Sequence, residues 1–75
     1  MLVADVAVPV PLARAFSYEV PKHLALELVP GSRVLCDFRK RQVIGVVVGL
    51  GDREPDPAMP LKPLRALVDG RPVVP

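Results

Sequence analysis

Apolar and polar residues alternate along most of this chain with the two-residue period of β-strands. Leu2 to Val8 puts Leu2, Ala4, Val6 and Val8 on one face. Proline cannot donate to a sheet ladder, so Pro9 and Pro11 end this strand and force an extended crossover. A second strand, Phe16 to Val20, is ended by Pro21 and carries the Phe16 and Tyr18 rings on one face and Ser17 on the other. Lys22 to Val29 reads two ways. Leu24, Leu26 and Leu28 alternate as in extended chain, yet His-Leu-Ala-Leu-Glu-Leu also favours a single helical turn. Pro30-Gly31 marks a turn.

Ser32 to Phe38 alternates cleanly, with Val34, Cys36 and Phe38 on one face and Arg33, Leu35 and Asp37 on the other. The polar run Arg39-Lys40-Arg41-Gln42 links it to Val43–Leu50, the strongest strand signal, so the two predict an antiparallel hairpin. Gly45 and Gly49 within that strand imply a bulge, a bend or close approach of another backbone. Gly51 to Pro60 is an acidic, proline-rich loop, and Leu61 to Val68 a strand that Pro63 confines to an edge or bulge. Asp69-Gly70 is a turn, and Arg71 to Pro75 reads as extended chain. Five or six short strands predict a mostly all-β fold, either a small barrel or a strongly curved antiparallel sheet. The expected core is Val6, Tyr18, Val34, Cys36, Ile44, Val46 and Val48, with Val46→Ala costing about 1–3 kcal/mol.

Seventy-five residues make a single small β domain, residues 1–75. With 51% hydrophobic and 24% charged residues the chain folds rather than staying disordered, and ten prolines favour short strands over long helices. No apolar run approaches the roughly 20 residues that span a bilayer, and the start lacks a basic secretory leader, so a cytoplasmic, non-membrane location is expected. One cysteine and one histidine exclude a disulfide framework and a multi-cysteine zinc site. Cys36 shares the Val34 and Phe38 face and is expected to be an inert buried thiol. Asp52, Glu54 and Asp56 lack the glycine and final glutamate of a calcium loop and read as a solvated surface. There is no phosphate-cradling GxxxxGK[ST] loop and no Ser/His/acid set. Catalysis, and any cofactor in this chain, has no support in the residues.

Four stretches in order carry a family likeness over nearly the whole chain. They are Val6-Ala7-Val8-Pro9-Val10-Pro11-Leu12 with Arg14 and Phe16-Ser17-Tyr18; Pro30-Gly31-Ser32-Arg33-Val34; Phe38-Arg39-Lys40 with Ile44-Gly45-Val46-Val47; and Leu61-Lys62-Pro63-Leu64-Arg65. Together they resemble the start of primosomal protein N′, the PriA-type replication-restart DNA helicases. The resemblance implies a module that binds the 3′ end of single-stranded DNA at an arrested fork. It further implies an N-terminal fragment of a larger helicase, whose ATP-using motor and zinc module lie beyond Pro75. Partners would be DNA, the helicase domains of the parent chain and primosome proteins.

In that family a shallow pocket takes the terminal nucleotide and its 3′-hydroxyl. Phe16 and Ser17 fall at two of its positions, the second usually an acid; Arg39 falls where glycine is usual; Lys62 matches a lysine. Asp37 replaces a common proline, and the Lys22–Val29 turn is longer than usual. Neutral Ser17 predicts a weaker preference for a free 3′-hydroxyl over a 3′-phosphate than an acid there would give. The candidate DNA-binding residues are therefore Arg14, Phe16, Ser17, Arg39, Lys40, Arg41 and Lys62. Each has an ordinary structural reading beside it. Phe16 either stacks on a base or sits in the core with Tyr18. Arg39-Lys40-Arg41 either meets phosphate or keeps a sheet edge soluble. Ser17 is an exposed strand serine or a pocket hydrogen-bonder, Arg14 a phosphate contact or a barrel cap, and Lys62 a plain surface lysine. The alternative function is a protein-interaction or structural module that docks through an apolar, proline-rich surface.

Overall fold

The computed structural model describes residues 1–9 and 14–68, so the crossover at Pro11 and the predicted turn and extended end from Asp69 onward lie outside the described residues. Five strands, β1 (Leu2–Val8), β2 (Arg14–Glu19), β3 (Arg33–Phe38), β4 (Arg41–Asp52) and β5 (Ala66–Leu67), form one sheet in the order β2-β1-β4-β3-β5. All four pairings are antiparallel. The Lys22–Val29 ambiguity resolves toward a helical turn: Lys22–Leu24 is 3-10 helix, and Leu24 and Leu28 point into the core while Leu26 is exposed. At Pro30-Gly31 the chain turns with Gly31 at φ 98°, a value that favours glycine, and the Gly31 N–H donates to the Val47 carbonyl at 2.7 Å.

The sheet is strongly curved rather than closed. Tyr18 on β2 reaches across the interior, its hydroxyl donating to the Asp37 carbonyl on β3 at 2.8 Å, although β1 and β4 lie between those strands in the sheet. The segment after the acidic loop spans the opening between the two edges. The Glu19 N–H donates to the Lys62 carbonyl and the Leu64 N–H to the Glu19 carbonyl, so Pro63 bridges the β2 edge; Arg65 and Val68 N–H groups then donate to Leu35 and Arg33 carbonyls on β3. Pro63 thus lies at an edge, where its missing N–H costs nothing. The enclosed core is Ala4, Val6, Val8, Tyr18, Val20, Leu24, Leu28, Val34, Cys36, Val47 and Leu64. Burial pushes the Cys36 thiol above its ordinary pKa, in keeping with an unreactive core cysteine.

The β3–β4 hairpin forms as expected, but its link is two residues, Arg39 and Lys40, not four, since β4 begins at Arg41. Both have positive φ, 49° and 64°, the pair of left-handed residues that a two-residue hairpin turn of matching twist uses.

The inward face of β4 is the reverse of the expected one. Ile44, Val46 and Val48 are exposed at 49%, 39% and 54%, while Val47 is buried. The cause is register. Cross-strand partners share a face, and Val34 and Cys36 are paired with Gly45 and Val43, which turns Ile44 and Val46 outward. A register shift opposite Asp5/Val6 leaves Val48 without a β1 partner and restores Leu50 to the inner side against Ala4. Val46→Ala should therefore change stability by less than about 0.5 kcal/mol, whereas Val47→Ala should cost about 2 kcal/mol. Urea titration of the two variants separates these values; equal costs would contradict the register.

Candidate nucleic-acid interface

Two open grooves meet at a common wall made by Phe16 and Ser17 of β2 and by Pro60 and Leu61 of the returning segment. The smaller, about 350 Å³, is lined also by Tyr18, Asp37, Phe38, Arg39 and Lys62. Alternation along β2 and β3 turns Phe16 and Phe38 to the same concave side, where their rings meet at 4.9 Å between centroids, tilted by 59°. Both rings are half-buried, so each keeps an accessible surface. A guanidinium lies over each: Arg14 at 5.9 Å from the Phe16 centroid and Arg39 at 5.2 Å from that of Phe38. Two aromatic surfaces edged by exposed cations offer a base a stacking surface and a phosphate its counter-charge.

Ser17 faces the other way. Its hydroxyl donates to Asp5 Oδ1 at 2.8 Å across the β1–β2 ladder and accepts from Arg53 Nη1 at 3.0 Å, while Arg53 Nη2 donates to Asp5 Oδ2 at 2.7 Å. The Ser17 hydroxyl and then Arg53 hold the Asp5 carboxyl below the usual range, against the opposing pull of partial burial, so Asp5 is an anion at neutral pH. Ser17 itself is neutral, and the carboxylate behind it has its charge paired to Arg53. Asp37 is committed in a similar way: Arg65 Nε and Nη2 donate to its Oδ2 at 2.9 and 2.6 Å and hold its carboxyl low.

Of the residues singled out from sequence, Phe16, Ser17, Arg39 and Lys62 line the smaller groove and Arg14 stacks beside it. Lys40 and Arg41 are exposed at and after the hairpin turn and do not line it. The structure adds Phe38, which the alternation had assigned to the core face, and the Asp5–Arg53 pair. The adjacency of Phe38 to Arg39 was a signal for the first. The second joins residues 48 positions apart and had no local signal.

The chain matches the family model described as the 3′DNA-binding domain (3′BD) of PriA over residues 5–75. It belongs to the PriA 3′ DNA-binding domain family. The match extends across β1 to β5, and so includes every residue of the aromatic groove. DNA is the partner of a PriA 3′-binding domain, and such a domain is a binding module rather than a catalytic one. Among the described residues no helix is long and apolar enough to cross a membrane.

Proposed function

We propose that this domain seats the 3′-terminal nucleotide of a DNA strand in the aromatic groove, and so recognises the nascent-strand terminus at arrested replication forks for a replication-restart helicase. The pairing of Phe16 and Phe38 rings with Arg14, Arg39 and Lys62 at one groove carries the reading. Phe16 supplies the stacking face, Arg39 and Lys62 the near phosphate contacts, and Lys40 and Arg41 a weaker field from the turn. Ser17, held by Asp5 and Arg53, supplies hydrogen-bonding at the wall where the terminal hydroxyl arrives. The domain performs no chemistry; ATP and zinc belong to the helicase portions of the family, and work on chromosomal DNA places it in the cytoplasm.

A second reading draws on the outward side of the sheet. Ile44, Val46 and Val48 make an exposed apolar stripe, which suits docking against the helicase domains of the parent chain or a primosome protein.

Fluorescence titration with a short single strand tests the first reading. Affinity is expected to fall with salt, and each phosphate contact removed should flatten the slope of log K against log salt by about 0.7. Arg39→Gly and Lys62→Ala are the variants of choice. Glycine suits the positive φ of residue 39, so the fold is kept while the charge is lost. Unchanged affinity and slope in both variants would remove these side chains from the interface.

A further inference from the structure

The two grooves share a wall but differ in charge. The aromatic groove presents Arg39 and Lys62, its one acid, Asp37, being held by Arg65. The larger groove, about 710 Å³, presents Glu19, Glu54 and Asp56; its one cationic side chain, Arg53, is held by Asp5, and Met1, which bears the amino terminus, also lines it. Setting the two ion pairs aside, two cations face three carboxylates and one amino terminus across Phe16, Ser17, Pro60 and Leu61, so the larger groove keeps a net negative charge.

The acidic side is also fixed in place. Pro55, Pro57 and Pro60 restrict the loop backbone. The Asp56 carboxylate accepts the Ala58 N–H at 2.9 Å, and its carbonyl accepts the Met59 N–H at 3.0 Å. Arg53 anchors the start of the loop twice, through its side chain on Asp5 and Ser17 and through its N–H, which donates to the Met1 carbonyl at 2.8 Å. The backbone that carries these carboxylates is thereby held beside the groove.

We propose that Glu54 and Asp56 select strand ends, by excluding DNA whose backbone continues past the nucleotide seated on Phe16. The proposal rests on the function proposed above. A true 3′ end carries a neutral hydroxyl, whereas a 3′-phosphate or a continuing strand carries an anion on the same oxygen. A strand that enters along the cationic groove and crosses the wall must bring that anion into the acidic groove. A carboxylate about 8 Å from a phosphate in water weakens binding roughly two-fold, and two of them about five-fold. Salt reduces the effect over a Debye length of about 10 Å at 0.1 M.

The test uses the intact chain at low salt, with three single strands of one length and composition: linear with a free 3′-hydroxyl, linear with a 3′-phosphate, and circularised. The native protein is expected to prefer the hydroxyl end. Glu54→Gln with Asp56→Asn should lose about five-fold of that preference by binding the phosphorylated and circular strands more tightly, leaving the hydroxyl strand least changed. Both residues are exposed, so folding is not at stake. An undiminished preference in this double variant overturns the proposal, and overturns it in favour of the wall if Asp5→Asn abolishes the preference instead. Equal native binding of all three strands overturns it while DNA binding itself stands. Failure of the native protein to bind any strand defeats the proposed function, and this inference with it.

Discussion

Gly45→Ala is expected to cost about 3 kcal/mol or more, enough to remove much of the stability of a domain this small. A β-carbon at residue 45 would overlap Val6 Cγ1 and stand 2.9 Å from the Ala7 carbonyl oxygen. Neither neighbour can yield. Val6 is wholly buried in the core, and Ala7 is held in β1, which is paired on both sides. Overpacking of a filled core commonly costs about 1–3 kcal/mol, and here the clash also strains the central β1–β4 ladder. A chain of this length has a total of roughly 4–11 kcal/mol to lose. Gly51→Ala is the matched control, since nothing lies within 4 Å of its added carbon. Thermal or urea unfolding should show Gly51→Ala within about 0.5 kcal/mol of the native chain. If Gly45→Ala unfolds like the control, β1 does not pass so close to β4.

The same packing explains how much of the fold was legible in the sequence. Strands whose two faces differ in polarity were read correctly: Leu2–Val8, where Asp5 breaks the apolar run, and Arg33–Phe38, where charges alternate with Val34 and Cys36. Gly45 and Gly49 signalled a bulge, a bend or a close backbone approach; the last holds at Gly45, against Ala7, and a register shift lies beside Gly49. The face of β4 was not legible, because Val43 to Val48 is apolar on both sides apart from one glycine, and only pairing with β3 and the shift opposite Asp5/Val6 decides which valines turn inward. Local alternation carries no information about a register set by a neighbour.

The candidate site divides along the same line. Phe16 and Lys62 were identified through family likeness, and the structure sets both on one groove. Arg39 departs from the glycine usual there, and its positive φ gives the physical reason glycine suits that position. Ser17 looked like the loss of an acid. An acid does stand on the facing strand, Asp5, its register partner and hydrogen-bond acceptor, with its charge paired to Arg53. That pairing depends on folding, as does the seating of Arg53 on both, so inspection of residue 17 and its sequence neighbours could not reveal it.

Phe16→Ala should have the largest effect on DNA binding. Stacking of one base on an aromatic side chain is worth about 1–3 kcal/mol, so affinity for a single strand should fall roughly 5- to 150-fold. The half-buried ring also packs on Phe38, and Phe16→Leu controls for that role by keeping apolar bulk while removing the flat face. A core aromatic and a stacking aromatic then give opposite patterns. If Phe16 only packs, leucine should preserve most of the affinity and alanine should lose both stability and binding. If Phe16 stacks, both variants should bind weakly even where leucine remains folded. Salt dependence supplies an independent reading, because stacking releases no counterions. Plots of log K against log salt for Phe16→Leu should run parallel to the native line and below it, whereas those for Arg39→Gly and Lys62→Ala should flatten. A displaced line of changed slope for Phe16→Leu would mean that the ring only positions Arg14 above it, and that the base is held elsewhere in the groove.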